Sequence, residues 1–375
     1  MSKPTLQVVQ PGMLSTIQDR GRYGYQRFGM PTAGAMDAFA LRAANALLGN
    51  DDNAACIEAT VLGPRIKMLA GTRIAITGAN VSPRLNGEPI PMWQSVTVRE
   101  GGRLEFRGPS DGMRAYLAVA GGIDVPVTMG SRATYIKAAI GGVDGRPLRA
   151  GDVLNAFGDS SDSPPSSAGF PSEAIPKYGS SHELRVVLGP QDAAFTRAGI
   201  DTFLSAEYTV SINSDRMGYR LEGVPIEHID GPDVISDGTP LGGIQIPGDG
   251  QPIILLADRG TTGGYTKIAT VISTDLSKIA QAMPGHTVTF KAVSVEEAQE
   301  IHRRQEALLN SIRGSAAAAP RIAVVMDDSV SDILGDDGKP LTLPTSAEAS
   351  TLTRSGAALI DDTKFEFEIT VRQVK

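Results

Sequence analysis

Short runs in which apolar and polar residues alternate recur along the chain, separated by Gly, Pro and small polar residues. Alternation with a period of two is typical of β-strands that bury one face. Gly and Pro between such runs favour turns rather than continuous helix. The pattern therefore predicts a mainly β fold with a few helices (α+β). The clearest strand-like runs are 72–77, 103–107, 114–119, 184–188, 252–257 and 286–290.

Two segments show helical signals instead. Residues 35–48 carry apolar side chains at helical spacing and are followed by Gly49 and Asn50, residues that commonly end a helix. A second helix is predicted to begin after Ser294, which forms a possible capping box with Glu297, and to end near Gly314. On one face of the first helix lie Met36, Phe39, Ala40, Ala43 and Leu47.

A segment rich in Ser and Pro, 159–181, predicts a linker between two β-rich halves, 1–158 and 182–313. Each half contains an apolar strand that runs into a Gly-rich polar loop ending in tyrosine, Tyr135 in the first and Tyr265 in the second. This recurrence predicts a duplicated β domain. Residues 314–375 are predicted to form a second linker and a tail with one half-exposed strand, because Phe365, Phe367, Ile369 and Val371 alternate with polar residues.

Composition excludes several classes of protein. The 375 residues carry a formal charge of −7 without a basic block, so nucleic acid is not an expected partner. No apolar run is long enough to cross a membrane, and we expect a cytoplasmic protein. Cys56 is the only cysteine, which rules out an intrachain disulfide and favours a buried structural thiol. The four histidines lie far apart in sequence, so no metal site is predicted.

The strongest candidate site follows the apolar strand 252–257, where polar residues are interleaved with Gly260, Gly263 and Gly264. Polar side chains displayed on a flexible loop at a strand end suggest a functional site, because glycine permits close approach of a ligand to the backbone. A tight turn with no other role is the alternative. The polar residues of this loop are Asp258, Arg259, Thr261, Thr262 and Tyr265.

Three further clusters combine glycine with arginine, around Arg20, Arg132 and Arg216. Arginine presents a planar set of donors suited to carboxylate or phosphate, so the clusters favour an anionic ligand. Asp19 with Arg20, and Asp215 with Arg216, are equally consistent with ion pairs at the surface. We predict that Arg216, Asp258 and Arg259 line one cleft. No Walker A loop occurs, so a self-sufficient P-loop ATPase is not indicated.

At these clusters the chain resembles the carboxyltransferase subdomain A/B family. The resemblance covers residues 11 to about 293 and rests on four segments: PGMLSTIQDRGRYGYQRFGMPTAGAMD, YLAVAGGIDVPVTMGSRATY, SDRMGYRLEG and GGIQIPGDGQPIILLADRGTTGGYTKIATVISTDL. It implies two cyclophilin-like β-barrel subdomains and a partner subunit of the subdomain C/D type, together with a separate catalytic or carrier subunit.

The resemblance also implies one of two chemistries. In the first, ATP activates the lactam of 5-oxo-L-proline, and water opens it to L-glutamate. In the second, a carboxyl group moves from carboxybiotin on a separate carrier to urea or a similar small amide. A non-catalytic regulator of a partner protein is a third possibility. A free-standing chain, without a fused biotin carboxylase or carrier, favours the first.

Both chemistries need donors that face a carbonyl oxygen gaining negative charge, and a group that moves a proton. Arg259, Arg216, Gln245 and Thr262 are the candidate donors, and Asp258 or Tyr265 the candidate proton carrier. Lys267 is a candidate for binding a substrate carboxylate, or else an ordinary solvated lysine. Thr261, Arg20 and Arg132 complete the predicted substrate-binding set.

Overall fold

The computed structural model describes residues 2–158, 169–318, 351–360 and 363–372. Contacts divide the chain into two compact units, Met1–Pro320 and Arg321–Lys375. The first unit contains a pair of β-sheets in the first predicted half of the chain and a closed β-barrel in the second. The second unit is described as a single β-hairpin.

The first half forms two sheets. The seven-stranded sheet has the order β11-β12-β1-β4-β9-β6-β7, and the five-stranded sheet the order β2-β3-β10-β5-β8. The strands are β1 (Lys3–Gln10), β2 (Leu14–Gln18), β3 (Cys56–Thr60), β4 (Arg65–Met68), β5 (Thr72–Asn80), β6 (Arg84–Leu85), β7 (Glu88–Pro89), β8 (Ser95–Val98), β9 (Arg103–Glu105), β10 (Asp111–Val119), β11 (Ile123–Asp124) and β12 (Val153–Ala156).

Strands β3, β5 and β10 of the five-stranded sheet are buried on both faces. In β5, Ile74 and Ile76 join the core shared with the seven-stranded sheet, whereas Ala75 between them packs in a second cluster. That second cluster contains most of helix α1 (Ala38–Leu48). Because successive side chains on a strand point to opposite faces, one strand serves both cores.

The second half is a closed barrel with the strand order β13-β20-β17-β18-β15-β14-β21, completed by the parallel pairing of β21 with β13. A two-stranded ribbon, β16 with β19, accompanies it. The strands are β13 (Ser181–Leu188), β14 (Tyr208–Val210), β15 (Gly218–Glu222), β16 (Asp233–Gly238), β17 (Gly243–Gln245), β18 (Ile253–Leu255), β19 (Thr262–Tyr265), β20 (Lys267–Val271) and β21 (Thr287–Ala292). The mainly β prediction is confirmed.

Both predicted helices are present, with shifted ends. Helix α1 begins at Ala38 because the side chain of Asp37 caps it, accepting the amide of Ala40 at 2.9 Å, and it ends at Gly49 with a left-handed φ of 69°. Helix α4 (Val295–Ala318) begins where predicted, with Ser294 Oγ accepting the amide of Glu297 at 3.1 Å. It extends past Gly314, so the start of the predicted second linker is helical. The other α-helices of the described residues are α2 (Arg197–Ser205) and α3 (Leu276–Gln281).

Buried hydrogen bonds join the two halves of the first unit. Arg114 of β10 donates to Tyr219 Oη of β15 at 2.6 Å and to the carbonyl of Ala280. Gln281 donates to Asp37 Oδ2 at 2.8 Å and accepts the amide of Arg114 at 2.7 Å. Because unpaired polar groups are costly when buried, these contacts fix the barrel against the first half.

Part of the predicted first linker packs against the folded halves. Phe170 and Tyr178 are both 6% exposed, and Phe170 contacts Phe39 and Trp93. Two aromatic anchors therefore hold residues 169–181 of this segment in place. Residues 159–168 and 319–350 lie outside the described residues. The predicted strand in the tail is present as β23 (Thr363–Arg372), paired with β22 (Thr351–Ile360).

Cys56 is fully buried in β3, and burial raises the pKa of its thiol well above the ordinary value. This agrees with a structural thiol. Within the described ranges no helix is long and apolar enough to cross a membrane. The same part of the chain contains no group of three or more His, Cys, Asp or Glu side chains arranged to hold a metal ion.

Candidate functional site

A cleft of about 490 Å³ lies at the ends of barrel strands β15, β17 and β18, beside the ribbon β16–β19. The first half contributes Lys137, which reaches the cleft from the loop after Tyr135 and donates to Met217 Sδ. The glycine-rich loop that the sequence singled out forms one wall. Among the cleft residues are Lys137, Arg220, Gln245, Arg259, Thr262 and Tyr265.

Arg259 is fixed by hydrogen bonds from two of its three guanidinium nitrogens. Its Nε donates to the carbonyl of Thr239 at 2.9 Å, and its Nη1 donates to Thr32 Oγ1 at 3.2 Å and to the carbonyl of Leu256 at 3.3 Å. Burial lowers the pKa of Arg259, yet arginine stays charged because its ordinary pKa is so high. Among the described residues no carboxylate pairs with Arg259, and its Nη2 has no protein acceptor. The arginine is therefore positioned to receive an anion.

Arg259 also borders a second cavity of about 390 Å³, together with Thr239 and Gly260. Thr32 of the first half and Thr261 line this chamber. Arg259 therefore borders both the cleft and this smaller chamber.

The charge of the cleft is opposite to that of the chain. Lys137, Arg220 and Arg259 line it, and Asp215 is the acidic residue among its described lining. The Oδ1 atom of Asp215 accepts the amides of Met217 at 2.7 Å and Gly218 at 3.3 Å, so this carboxylate is engaged by its own turn. A locally basic cleft in a protein of net charge −7 favours a negatively charged ligand.

Gln245 supplies a neutral polar group to the cleft. It is 7% exposed, and its Nε2 is buried without an acceptor among the described residues. Gly263 makes room for it, because a Cβ atom at that position would lie 2.4 Å from Nε2. A buried donor without an acceptor is unusual in a folded protein and is consistent with an acceptor supplied by a ligand.

Directly behind the cleft, Arg216 is held by both halves of the unit. Its Nε and Nη2 donate to Asp258 Oδ2 and Oδ1, each at 3.0 Å, its Nη1 to Glu58 Oε1 at 2.5 Å and its Nη2 to the carbonyl of Gly34 at 2.6 Å. Burial lowers the pKa of Arg216, but the carboxylates of Glu58 and Asp258 outweigh this and raise it. Burial raises the pKa of Asp258 despite its contact with Arg216. The group is a buried ion cluster.

A family model described as "Carboxyltransferase domain, subdomain A and B" matches residues 28–292. The chain belongs to this family.

Among its relatives, a 5-oxoprolinase subunit of Escherichia coli (strain K12) is 37% identical over 301 residues, which are 80% of this chain and 95% of the relative. "Urea amidolyase" of Saccharomyces cerevisiae is 35% identical over 332 residues, which are 84% of this chain but 18% of that protein. The crystal structure of the K. lactis urea amidolyase matches with a TM-score of 0.78 and 29% identity, covering 99% of this chain and 22% of that one. Family membership, as the resemblance implied, is confirmed.

Five of the ten predicted site residues border the cleft or the smaller cavity next to it. Gln245, Arg259, Thr262 and Tyr265 line the larger one, and Thr261 lines the smaller one. The sequence located them because they surround one glycine-rich loop. Their chemical roles stay predictions.

The prediction that Arg216, Asp258 and Arg259 line one cleft does not hold for the first two. Both carboxylate oxygens of Asp258 and most of the donors of Arg216 are used inside the buried cluster, and neither residue borders the chambers. The glycine-rich turns near them suggested exposure. Glu58, the partner of Arg216 in the first half, lies 158 residues from it in sequence and gave no local signal.

The other three predicted residues also have protein partners. Lys267 is 1% exposed, and its Nζ lies 3.2 Å from Asp237 Oδ2, so it is not a solvated strand lysine. Arg20 pairs with Asp52 at 2.9 Å at the surface. Arg132 donates to the carbonyl of Val125 at 3.0 Å and lies over the ring of Phe157. None of the three borders either chamber.

Sequence reasoning missed Lys137 as a cleft residue. Lys137 stands two residues after the predicted Gly-rich cluster, but its contact with Met217 spans 80 residues. Only the folded arrangement of the two halves brings them together. Arg220 lies four residues after Arg216 in the same sequence cluster. Its side chain has no partner among the described residues, and it lines the cleft, whereas Arg216 does not.

Proposed function

We propose that this chain is a subunit of an ATP-dependent, 5-oxoprolinase-type complex that opens 5-oxo-L-proline to L-glutamate. The observation that carries the proposal is that the match with the 5-oxoprolinase relative covers nearly all of that relative, since 95% of the E. coli protein aligns with this chain. The urea amidolyase relative aligns over only 18% of its length, so most of that protein has no counterpart in the matched region.

The cleft has the polarity that this substrate requires. 5-Oxo-L-proline carries one carboxylate and one lactam, and the cleft offers an uncompensated guanidinium at Arg259 and an amide at Gln245. We assign the substrate carboxylate to the Nη2 side of Arg259, with Arg220 and Lys137 adding positive potential. Gln245 and Thr262 are assigned to the lactam, whose carbonyl oxygen gains negative charge as water attacks.

Proton transfer is the part that this chain does not complete by itself. Asp258 is held by Arg216 inside the buried cluster and does not reach the cleft. Tyr265 lines the cleft, but a phenolic hydroxyl serves as a donor or acceptor of hydrogen bonds rather than as a base. We therefore propose that a partner subunit of the C/D type, with a separate catalytic subunit that uses ATP, brings the missing base over the cleft.

A second candidate function is a carboxyltransferase subunit that moves a carboxyl group from carboxybiotin to urea or a related amide. The match to the K. lactis urea amidolyase structure over 99% of this chain favours it. The same cleft would then hold the acceptor amide, and the carrier would approach its open side.

Reconstitution of the complex with its genomic neighbours separates the two. We expect ATP-dependent formation of glutamate from 5-oxo-L-proline that requires this chain and its partners together, and none from the purified chain alone. ATP-dependent turnover that requires urea and a biotinylated carrier, without glutamate formation, would instead favour the carboxyltransferase. Full turnover by the single chain would contradict the need for a partner.

A further inference from the structure

Lys267 is a buried lysine whose charged partner lies at the surface. It is the first residue of β20, its side chain is 1% exposed, and its Nζ donates to Asp237 Oδ2 at 3.2 Å. The side chain of Asp237 is 55% exposed. Lysine is almost never fully buried unless it is paired, so this position calls for a reason other than packing. Lys267 borders neither the cleft nor the smaller chamber, so it does not contact a ligand in either.

Asp237 belongs to the two-stranded ribbon β16–β19, which forms one side of the cleft through Thr262 and Tyr265. No residue of either ribbon strand is buried, so the ribbon has no apolar core of its own. A pair of strands without such a core is marginally stable by itself. The position of the ribbon beside the barrel therefore depends on individual polar contacts.

Within the described ranges, Lys267 and Asp237 form the one ion pair between the ribbon and the barrel. Gln191 reinforces it, because its Nε2 donates to Asp237 Oδ2 at 3.3 Å and its Oε1 accepts the amide of Lys267 at 2.9 Å. Asp237 Oδ1 accepts the amide of Gly238 at 2.7 Å, so the carboxylate is also fixed within the ribbon. Hydrogen bonds to charged groups contribute more than neutral ones. The ion pair therefore holds the ribbon against the barrel.

The ion pair lies next to Gln245 of the cleft. Lys267 stands directly opposite Gln245 in the pairing of β20 with β17, and Asp237 stands directly opposite Gly263 in the ribbon. Gly263 lies close to the glutamine, since a Cβ atom there would be 2.4 Å from Gln245 Nε2. A displacement of the ribbon at Asp237 therefore changes the space around Gln245 and moves Thr262, the neighbour of Gly263.

We propose that Lys267 is a positioning residue, which acts through Asp237 to hold the ribbon where Gln245 and Thr262 face the reacting amide. This inference rests on the proposed function, because both residues are assigned to the lactam there. Misplacement of such groups by about 1 Å can lower turnover by about 100-fold. Since they act on an oxygen that gains negative charge only as water attacks, loss of the ion pair should reduce kcat more than it changes KM.

Lys267→Met removes the charge and keeps an unbranched side chain in the barrel. We expect this variant to be as stable in urea as the wild type, because Asp237 is exposed and no buried charge is left unpaired. Hydrogen exchange of the amides in 233–238 and 262–266 should become about 10-fold faster, as for loss of one charged hydrogen bond, while β13 of the barrel stays unchanged. In the reconstituted complex, kcat for 5-oxo-L-proline should fall by about 10- to 100-fold with little change in KM.

Asp237→Asn tests the partner of Lys267. It should also lower kcat, but unlike Lys267→Met it should lower the urea midpoint, because it leaves the lysine buried without its carboxylate. The Lys267→Met/Asp237→Asn double variant should have the kcat of Lys267→Met, since the two residues act through one contact. Lys291→Met is the matched control, because Lys291 is an exposed lysine of barrel strand β21 that borders neither the cleft nor the smaller chamber. It should leave ribbon exchange and kcat unchanged.

The outcomes separate the role of Lys267 from the proposed function. Unchanged hydrogen exchange of the ribbon in Lys267→Met overturns the inference, even if the complex is an active 5-oxoprolinase. Faster exchange with wild-type kcat overturns the positioning role, and losses of kcat that add in the double variant overturn the action through Asp237. A complex that acts on urea and not on 5-oxo-L-proline contradicts the proposed function, and the same comparison of kcat, made with urea, then decides on Lys267.

Discussion

Asp258 and Arg259 are neighbours in sequence but take part in different structures. The carboxylate of Asp258 holds the guanidinium of Arg216 at two points, each 3.0 Å long, inside the contact between the two halves. The guanidinium of Arg259 is held by uncharged acceptors and borders the cleft. One loop therefore has two roles: Asp258 helps to anchor the barrel to the first half, and Arg259 presents a cation to a ligand. Because the two residues are adjacent, the buried ion cluster around Asp258 also positions Arg259 in the cleft.

The buried cluster should matter for stability. Arg216→Ala leaves the carboxylates of Glu58 and Asp258 buried without their cation, and loss of one partner in such a cluster costs about 3–5 kcal/mol. We expect a lower denaturation midpoint for Arg216→Ala in urea. Arg220→Ala is the control, because this exposed arginine lies four residues later, in β15, and has no ion pair among the described residues. Equal midpoints for the two variants would show that the cluster contributes little.

The space around Gln245 gives a second prediction. Gly263→Ala places a Cβ 2.4 Å from Gln245 Nε2 and 3.1 Å from Thr239 Cγ2, so the glutamine side chain must move. We expect the assembled complex to lose most of its turnover while the chain stays folded. Gly264→Ala is the matched control, since the nearest atom to its Cβ would be 3.7 Å away, an ordinary contact distance. Comparable activity of the two variants would remove Gln245 from the site.

The buried His182 should make stability depend on pH. Its Nε2 lies 3.2 Å from His286 Nδ1, and burial, with His286 and Lys278 nearby, lowers its pKa to about 4 from 6.5. Between these values the unfolded chain binds a proton that the folded chain does not, so the free energy of unfolding falls as the pH drops from about 6.5 to about 4. Asp37 opposes this trend, because burial raises its pKa to about 6.

Comparison with His182→Gln isolates the histidine from Asp37. The stability advantage of the wild type over this variant should shrink with falling pH through that window by about 1.4 kcal/mol per unit. Urea denaturation at several pH values measures it. A difference that stays constant from neutral pH to pH 4 would mean that His182 has an ordinary pKa in the folded chain.

The sequence predicted the parts of the fold and site that local chemistry determines. The strand periods located β5, β10 and β13, and the glycine-rich loop after β18 located Arg259, Thr262 and Tyr265. It did not locate the partners of those residues, because Arg216 meets Glu58 across 158 residues and Lys137 meets Met217 across 80. Charged residues beside glycine look alike in sequence whether they face a ligand or a buried carboxylate. Only tertiary contacts distinguish Arg259 from Arg216.

The most direct measurement of the central claim is the activity of the assembled complex carrying Arg259→Ala. If Arg259 binds the substrate carboxylate in the cleft, kcat/KM for 5-oxo-L-proline should fall by about 100-fold, since a hydrogen bond to a charged group contributes about 1.5–3 kcal/mol. Arg259→Lys should restore only part of it, because lysine lacks the planar donor set. Arg65→Ala, an exposed arginine outside the cleft, should behave as wild type. Wild-type kcat/KM in an intact Arg259→Ala complex would contradict the account and place the reacting site elsewhere.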